Sequence, residues 1–566
     1  MTKNRKKDYF LYEVEPFHNF KESLELSAQR EGNKPAFMFK KENGEIEEVS
    51  FAAFKTETEA LGTGLASIDG AECHAAIVSE NSYKWITAFL TMLNGKGVAV
   101  PVDKELPADE IANVINHSDS EIVFFSKKYE DKIKSIAGVI TKVRYFIGFD
   151  LEQDSGNFLS YEKLKSEGYK KLKDGDTSYT SAEPEYEKLK LLVYTSGTTG
   201  TPKGVMLSLK NIVSCVYYGL KVSTVYTRCL SVLPYNHTYE SVCGILVSLH
   251  HGSTLCINEN LRSVAKNLKL YKPDFILLVP LFVESMYKKI WAEIEAKGKA
   301  GLMKKMIKTS NALLKVGIDM RPVFFKSIRD VFGGNMIKIV CGGAPIREEL
   351  GEFFEAIGIR LCNGYGITEC SPLVAGNRDY FYNFSSVGVK LPCVDIKIFE
   401  PNEDGEGEIC VKGDTVMLGY YKQKELTSEV LEEDGWFHTG DYGRMDDKKR
   451  LYITGRKKNI IVLKNGKNVY PEEIEDYIMA LPLVSEVIVS AVKNENGEEI
   501  GLLAEILPNA ETTKDMTQEE IMAKTKEAIS KVNERLPAYK QVNKVILRKE
   551  AFTKTSTGKI RRQYTK

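Results

Sequence analysis

The sequence predicts an α/β protein in which helices cover parallel sheets. Apolar runs at residues 75–78, 97–100 and 122–125 have the length and the apolar content of buried strands. Residues 85–93, between the first two runs, show the apolar period of a helix. Because strands that alternate with helices form βαβ units, this pattern predicts a parallel sheet.

The chain changes texture twice after this region. Residues 151–190 are polar and contain few periodic apolar residues, so we predict a surface excursion between elements. After residue 381, short β-like pieces at 394–399 and 408–411 are joined by Gly and Asp turns. They predict a β-rich subdomain that spans about residues 381–455.

A small C-terminal domain is predicted from a hairpin followed by a helix. Residues 460–466 end in Asn-Gly, which favours a tight turn, and Pro471 stands where a helix would begin. We therefore predict a large domain of layered sheets and helices at residues 1–455. A small α+β domain is predicted at residues 456–566.

The composition is that of a globular protein without a strong overall charge. The 566 residues are 43% hydrophobic, and 78 basic residues balance 78 acidic ones. Nucleic-acid binding is therefore not expected. The ten cysteines form no CxxC pair and no zinc-like spacing, which predicts reduced thiols.

The sequence also bears on location. The basic first residues are followed by Glu13 and Glu15 where a signal peptide would have its apolar core. The longest apolar run, residues 275–283, has about half the length of a membrane span and is predicted to be a buried strand. We expect a cytoplasmic protein, with peripheral contact to the inner face of a membrane left open.

A loop rich in glycines and hydroxyls follows the apolar run at residues 191–194. Glycines let the backbone approach a ligand closely, hydroxyl and N–H groups donate hydrogen bonds to oxyanions, and a lysine adds positive charge. The glycine and lysine spacing is not that of Walker A, and the strand leading into the loop argues against a flexible linker. The predicted phosphate-binding residues are Thr195, Ser196, Gly197, Thr198, Thr199, Gly200 and Lys203.

Residues 194–204 resemble the phosphate loop of the adenylate-forming superfamily of acyl- and aryl-CoA synthetases, peptide-synthetase adenylation domains and luciferases. Further segments extend the resemblance in the same order over essentially the whole chain, from the strands near Ala75 to Lys559. The resemblance implies an enzyme that uses ATP and Mg²⁺ to convert a carboxylic acid into an acyl-adenylate. It also implies that coenzyme A then takes the acyl group.

The segment at residues 363–369 follows a predicted strand, so its polar residues would stand at the carboxyl end of a sheet. By resemblance, Tyr365 stacks on adenine, with Asn363 at the edge of the base and Gly366 in the same nucleotide-binding turn. Thr368 would contact the α-phosphate. Glu369 would hold Mg²⁺, which favours one carboxylate together with substrate phosphates.

Two more segments complete the implied nucleotide site. Residues 341–345 resemble a wall of small residues that lets the ligand lie close to backbone, with Gly343 and Ala344 as its nucleotide-contacting members. Asp441 matches the family aspartate that accepts hydrogen bonds from both ribose hydroxyls, and Arg456 completes this set.

The basic segment near the end would, on charge alone, be a solvated tail. Its order resembles the terminal lysine motif of the family, which makes Lys559 the residue that contacts carboxylate and α-phosphate, although Thr553 stands where proline is common. Lys559, Lys203 and Mg²⁺ would together offset charge repulsion during adenylation. Lys458 matches the hinge of a mobile C-terminal domain, and Gly466 the hairpin that meets the pantetheine arm.

Residues 233–240 resemble the segment that gates the acyl pocket in long-chain acyl-CoA synthetases, and we interpret His237 as a gating or pocket residue. This segment contains no aspartate, and a buried ammonium needs an acid partner, so amino acids are disfavoured as substrates. Apolar residues at 242–249 fit an acyl tunnel or plain core. The resemblance implies a medium- or long-chain fatty acid.

Three alternatives stay open at this point. The acyl acceptor is coenzyme A or an acyl carrier protein, and the acid is a fatty acid or an aryl or amino acid. A non-catalytic nucleotide-binding module would bind ATP without exchanging pyrophosphate, and the joint presence of Glu369, Lys203 and Lys559 argues against it.

Overall fold

The computed structural model describes residues 10–41, 43–195, 203–343, 346–463, 467–493, 499–554, 560 and 562. The predicted α/β class is confirmed. The chain divides into two compact units, the first formed by residues 1–396 and 411–437 and the second by residues 397–410 and 438–566. The sequence-based division at residue 455 stays a prediction.

Twenty-six strands can be assigned within the described ranges. They are β1 (Pro35–Lys40), β2 (Ile46–Ser50), β3 (His74–Val78), β4 (Val98–Pro101), β5 (Ile122–Phe125), β6 (Tyr145–Gly148), β7 (Phe158–Ser160), β8 (Leu189–Thr195), β9 (Lys203–Ser208), β10 (Arg228–Ser231), β11 (Thr254–Ile257), β12 (Phe275–Leu278), β13 (Lys338–Cys341), β14 (Arg360–Gly366), β15 (Leu373–Gly376), β16 (Val389–Lys390), β17 (Val394–Phe399), β18 (Gly407–Gly413), β19 (Gly419–Tyr420), β20 (Phe437–Met445), β21 (Leu451–Arg456), β22 (Ile461–Val462), β23 (Asn468–Val469), β24 (Val484–Lys493), β25 (Glu499–Pro508) and β26 (Val542–Leu547).

The same residues form eighteen α-helices, together with short 3₁₀-helices and one π-helix at Ser241–Leu246. The α-helices are α1 (Phe20–Glu31), α2 (Phe51–Ala66), α3 (Tyr83–Asn94), α4 (Ala108–His117), α5 (Glu130–Ile136), α6 (Tyr161–Lys173), α7 (Leu209–Val222), α8 (Thr238–Glu240), α9 (Val247–His251), α10 (Val264–Tyr271), α11 (Pro280–Ala296), α12 (Ala300–Lys315), α13 (Arg321–Phe324), α14 (Lys326–Arg329), α15 (Glu348–Ala356), α16 (Lys424–Ser428), α17 (Pro471–Met479) and α18 (Gln518–Asn533).

The first unit is built on two large sheets. One has the order β16-β15-β14-β13-β12-β10-β11-β1-β2, and the other has the order β19-β9-β8-β4-β3-β5-β6-β7. Strands β10, β12, β13 and β14 pair in parallel, as do β4, β3 and β5. The three strands predicted from residues 75–78, 97–100 and 122–125 are therefore confirmed. The parallel order of β13 and β14 brings the ends of these two strands, which lead into the small-residue wall and the 363–369 segment, to one edge of their sheet.

Two sequence-based expectations for the first unit are wrong in detail. The polar segment 151–190 contains β7 and α6, and the side chain of Ser160 caps this helix by accepting a hydrogen bond from the Lys163 amide. Composition hid the helix because most of its residues are polar. The run 275–283 is a strand only as far as Leu278, because Pro280 begins α11.

The four-stranded sheet β17-β18-β20-β21 confirms the β-like pieces predicted at residues 394–399 and 408–411. The second unit also contains the sheet β24-β25-β26 with α17 and α18. Strands β22 and β23 pair as the predicted hairpin, and α17 begins at Pro471 as expected. Buried side chains of α17 and β24, among them Ile474, Ile478 and Val489, form its core.

Candidate functional site

The predicted phosphate loop connects two paired strands of the first unit. Strands β8 and β9 are antiparallel, and their register places Thr195 opposite Lys203 where the strands separate. The residues between them that were assigned to phosphate binding, Ser196, Gly197, Thr198, Thr199 and Gly200, lie outside the described residues. Thr195 and Lys203 are half-buried, so both can face a ligand.

A tyrosine joins the predicted phosphate-loop lysine to the predicted magnesium ligand. The Lys203 ammonium lies 5.5 Å from the centre of the Tyr420 ring, within cation–π range. The Tyr420 hydroxyl donates a hydrogen bond of 3.0 Å to Glu369 Oε1. Burial, and then the charge of Glu369, raise the pKa of Tyr420, so this hydroxyl remains a donor. The structure thus brings Lys203 to the ring, and Glu369 to the hydroxyl, of the same tyrosine.

Sequence reasoning missed Tyr420. It lies on β19, which pairs with β9 so that Tyr420 is opposite Val205. The sequence separation between these strands is large, and no spacing rule connects them. The Gly419-Tyr420-Tyr421 run was the only available signal.

The predicted adenine and α-phosphate residues form the end of β14 and the turn that follows it. Asn363 donates its side-chain amide to the Phe384 carbonyl at 2.9 Å, and Tyr365 is buried, opposite Ala375 on β15. Thr368 and Glu369 are half-buried in a 3₁₀-helix, Thr368–Cys370.

Gly366 lies where this turn folds back on itself. A Cβ at this position would lie 2.2 Å from the Pro372 carbonyl oxygen, so only glycine fits. The close return positions the two polar residues Thr368 and Glu369 directly after β14.

The acyl-gate segment lies beside the small-residue wall. His237 is half-buried immediately before α8, and the neighbouring Tyr239 hydroxyl donates to the Val340 carbonyl at 3.1 Å. Val340 is on β13, which leads to Gly342 and Gly343, the latter at φ 87°. Ala344 lies outside the described residues. Tyr239 therefore connects the predicted gate to the start of the wall.

The predicted ribose residues are neighbours in the second unit. Asp441 on β20 is opposite Arg456 on β21, and Arg456 Nε lies 2.7 Å from Asp441 Oδ1. Asp441 is buried, and its amide donates to the Thr439 hydroxyl at 3.0 Å. The ion pair fixes one carboxylate oxygen, which orients the whole group.

Lys458 lies in a 3₁₀-helix, Lys457–Asn459, directly after β21. The preceding Lys457 donates to Glu408 Oε2 at 2.8 Å, and the Gly440 amide donates to Glu408 Oε1 at 3.2 Å. Although burial opposes ionisation, hydrogen bonds from Lys457 and His438 lower the pKa of Glu408. The sequence analysis did not identify Glu408. Lys559 and Gly466 are outside the described residues.

Magnesium requires few protein ligands when it binds with a nucleotide. Within the described ranges no three His, Cys, Asp or Glu side chains are grouped as metal ligands. Glu369 presents a half-buried carboxylate beside Lys203 and Tyr420. One carboxylate with substrate phosphates and water suits Mg²⁺, so the residues present fit the ion that the sequence implies.

Comparisons of the sequence with known proteins identify a family and individual relatives. Residues 24–421 match the family described as AMP-binding enzyme, and residues 458–566 match the AMP-binding enzyme C-terminal domain. The chain is 30% identical over 498 residues to long-chain-fatty-acid–CoA ligase 6 of Mus musculus, which covers 83% of this chain and 71% of that protein. It is 27% identical over 521 residues to long-chain-fatty-acid–CoA ligase 1 of Homo sapiens, covering 87% of this chain and 74% of that protein.

Solved structures share the fold. The anthranilate CoA ligase AuaEII in complex with anthranoyl-AMP superposes with a TM-score of 0.76 at 18% identity, covering 97% of this chain and 96% of that chain. The Mycobacterium tuberculosis fatty acyl CoA synthetase gives 0.64 at 22% identity, covering 96% of both chains. At these identities the likeness concerns architecture alone.

Proposed function

The chain belongs to the AMP-binding enzyme family, and from this premise we propose that it activates a medium- or long-chain fatty acid with ATP and transfers the acyl group to coenzyme A. The observation that carries the proposal is the contact series of Lys203, Tyr420 and Glu369, which places a cation and a carboxylate around one ring at the phosphate hairpin. The reaction class is that of an AMP-forming acid–CoA ligase.

The first half-reaction joins two anions. A carboxylate oxygen forms a bond to the α-phosphorus, and the bond from that phosphorus to the bridging oxygen of pyrophosphate breaks. The Lys203 ammonium offsets part of the charge on the phosphates, and Glu369 would hold Mg²⁺, which supplies further charge neutralisation there. Tyr420 keeps the Glu369 carboxylate in place through its 3.0 Å hydrogen bond.

The remaining nucleotide contacts are proposed residue by residue. Tyr365 would stack on adenine, with Asn363 at the base edge, and Thr368 would contact the α-phosphate. Asp441 would accept hydrogen bonds from both ribose hydroxyls. The phosphate loop from Thr195 to Gly200, the wall at Gly343 and Ala344, and Arg456 would complete the nucleotide site.

The second half-reaction needs a different set of residues. In the proposal, Lys559 serves adenylation, Lys458 is the hinge, and Gly466 lets the pantetheine arm pass. The coenzyme A thiolate attacks the acyl carbonyl, the bond from the acyl carbon to the phosphate oxygen breaks, and AMP leaves. A mixed anhydride hydrolyses readily, so the site must exclude water until the thiol arrives.

Fatty acid is the proposed substrate because the gate segment around His237 contains no acid partner for an ammonium group. The related ligases named above are long-chain-fatty-acid–CoA ligases, which supports the same class. Pyrophosphate exchange with a panel of fatty, aryl and amino acids tests the first half-reaction. Exchange stimulated by aryl or amino acids and not by fatty acids would contradict the proposal.

The acyl acceptor needs its own test. Formation of the acyl thioester should be measured with coenzyme A as acceptor and, in parallel, with a phosphopantetheinylated acyl carrier protein as acceptor. Coenzyme A as the better acceptor supports the proposal, whereas transfer to the carrier protein alone would identify an acyl-acyl-carrier-protein synthetase.

A cytoplasmic location with peripheral membrane contact is also proposed. No helix in the described part of the chain has the length and apolar character needed to cross a bilayer. Helix α12 contains no acidic residue, and its four lysines at 304, 305, 308 and 315 are exposed and make no ion pair with any described residue. Exposed apolar side chains accompany them at Leu302, Val316, Ile318 and Val323.

This mixture of lysines and exposed apolar side chains suits the headgroup region of an anionic bilayer. Co-sedimentation with vesicles containing anionic phospholipid should be lost on high salt and in the double variant Lys304→Glu, Lys308→Glu. The matched double variant Lys170→Glu, Lys171→Glu changes two exposed lysines of α6 and should sediment like the wild type. Equal binding by all three proteins would contradict the surface assignment.

A further inference from the structure

Glu240 is a buried carboxyl that the proposed reaction does not use. It is 1% exposed. Its Oε1 lies 2.5 Å from the Ser231 hydroxyl, and that hydroxyl lies 3.1 Å from the Tyr235 hydroxyl. The Leu233 amide also faces the carboxyl, while Oε2 has no partner at hydrogen-bond distance among the described residues. Burying a carboxyl whose second oxygen has no hydrogen-bond partner costs free energy, so its presence in the core calls for a structural or functional explanation.

The position of Glu240 in the chain offers such an explanation. Glu240 is the last residue of α8 and directly precedes the π-helix Ser241–Leu246. A π-helix is rare, is wider than an α-helix and often occurs at a functional site. The carboxyl packs against Gly244 of this π-helix, because a Cβ added there would lie 2.9 Å from Glu240 Oε1. A larger residue at 244 would displace the carboxyl.

Two consecutive side chains attach the gate segment to two different parts of the sheet. Glu240 attaches it to Ser231 at the end of β10. Tyr239 attaches it to Val340 on β13, beside the small-residue wall. His237 lies two residues before Tyr239 in the same segment. Loss of either attachment would free the gate to move relative to the strand ends.

The first attachment extends into the core through Tyr235. This ring is buried and meets Trp85 edge to face, with ring centres 5.3 Å apart. The Tyr235 amide donates to the Asn81 side chain at 3.3 Å, and the same side chain donates to the Leu233 carbonyl at 2.8 Å. The first half of the gate segment is therefore held against the core, and Glu240 attaches the last residue of the segment to Ser231.

We propose that Glu240 is a positioning residue that holds the His237 segment in the geometry that admits the fatty acid. It acts through Ser231 and the gate backbone without touching the substrate. The inference rests on the proposed function, since it concerns the fatty-acid site of that reaction. Glu240 would then be a determinant of the acyl site that is separate from the residues of the phosphate hairpin.

The test separates acid binding from nucleotide binding. Initial rates of acyl-CoA formation give KM for the fatty acid and KM for ATP in the wild type, Glu240→Ala and Glu240→Gln. Glu240→Ala should raise KM for the fatty acid at least tenfold and leave KM for ATP within twofold. Glu240→Gln should stay within threefold for both, because the amide preserves the shape and the bond to Ser231.

A matched control accounts for general loss of stability. Asn267→Ala removes a fully buried polar side chain of α10, which donates to Asn258 Oδ1 at 2.8 Å, and should leave both KM values unchanged. If Glu240→Ala does not fold, Ser231→Ala provides the readout, because it removes the same attachment with a smaller change. It should also raise KM for the fatty acid selectively.

Several outcomes would overturn the positioning role. These are equal changes in both KM values, no change in either, a Gln variant as impaired as the Ala variant, or the same fatty-acid effect in Asn267→Ala. If the wild-type enzyme activated no fatty acid, both the proposed function and this inference would be refuted. If fatty-acid activation were unchanged in the Glu240 and Ser231 variants, only this inference would be refuted.

Discussion

Replacement of Glu240 by Gln preserves the shape of the side chain but removes its titration, so it measures the free-energy cost of burying this carboxyl. Burial raises the pKa of Glu240 from an ordinary 4.5 to about 8, and the hydrogen bond from Ser231 only partly opposes the rise. The titratable groups that face it are Cys229, Tyr235 and Tyr239. Burial raises the pKa of each of these as well, so none of them supplies a compensating charge.

The sign follows from a comparison of the two states. In the unfolded chain the carboxyl ionises above pH 4.5, whereas in the folded protein it stays protonated until about pH 8, so folding takes up a proton over this interval. One pKa unit corresponds to about 1.36 kcal/mol, so the free energy of unfolding falls by about 3 kcal/mol by pH 7 and by about 4 kcal/mol at pH 8, and the loss approaches about 5 kcal/mol above pH 8. Below pH 4.5 both states are protonated and the cost vanishes.

Thermal unfolding of the wild type and Glu240→Gln should therefore be compared from pH 5 to pH 9. We expect similar midpoints at pH 5 and a growing advantage for the variant up to about pH 8. The infrared spectrum of the wild type at pH 7 should contain a protonated-carboxyl band that the variant lacks. Glu167→Gln, at an exposed position on α6, is the control. Parallel midpoint curves at every pH, or no such band at pH 7, would refute the reasoning.

Three further predictions concern the reaction and the core. Tyr420→Phe removes the hydrogen bond to Glu369, and because a bond to a charged group contributes about 1.5–3 kcal/mol, pyrophosphate exchange should fall by about tenfold or more while the thermal midpoint changes little. Lys338→Met leaves the buried Asp379 without its 2.6 Å partner and should cost about 3–5 kcal/mol of stability, measured by chemical denaturation and relieved when Asp379 is also made Leu. Lys559→Ala should nearly abolish adenylation yet retain thioester formation from supplied acyl-adenylate, and equal loss of both would contradict the proposed two-conformation mechanism.

The parts of the fold that could be predicted are those set by local pattern. The strand at residues 122–125 and the helix start at Pro471 follow from apolar runs and from proline at a first helical turn. The same rules failed at α6, where one serine cap and a few buried side chains suffice for a helix that composition conceals. Local pattern reports what a segment prefers, and tertiary packing decides the marginal cases.

The candidate site divides in the same way. Lys203 and Glu369 could be proposed from the sequence because each stands in a recognisable motif, one directly after the glycine-rich loop and the other directly after a predicted strand. Tyr420 could not, because its role depends on the pairing of β19 with β9, and the register of two distant strands is a property of the folded sheet. Glu240 was hidden for a related reason, since its burial depends on Ser231 and on a π-helix that sequence periodicity does not indicate.

In the second unit, one buried carboxylate, Glu408, lies between the proposed ribose ligand and the proposed hinge along the chain of hydrogen bonds. Glu408 accepts hydrogen bonds from the Lys457 ammonium and from the backbone amide that precedes Asp441. Arg456, which orients Asp441 at 2.7 Å, is the residue immediately before Lys457. Glu408 is therefore the common partner of two residues, one adjacent to the proposed ribose ligand Asp441 and one adjacent to the proposed hinge Lys458. A backbone rotation at Lys458 would move the neighbouring Lys457 and change its hydrogen bond to Glu408. We therefore expect the affinity for the ribose and the position of the hinge to change together.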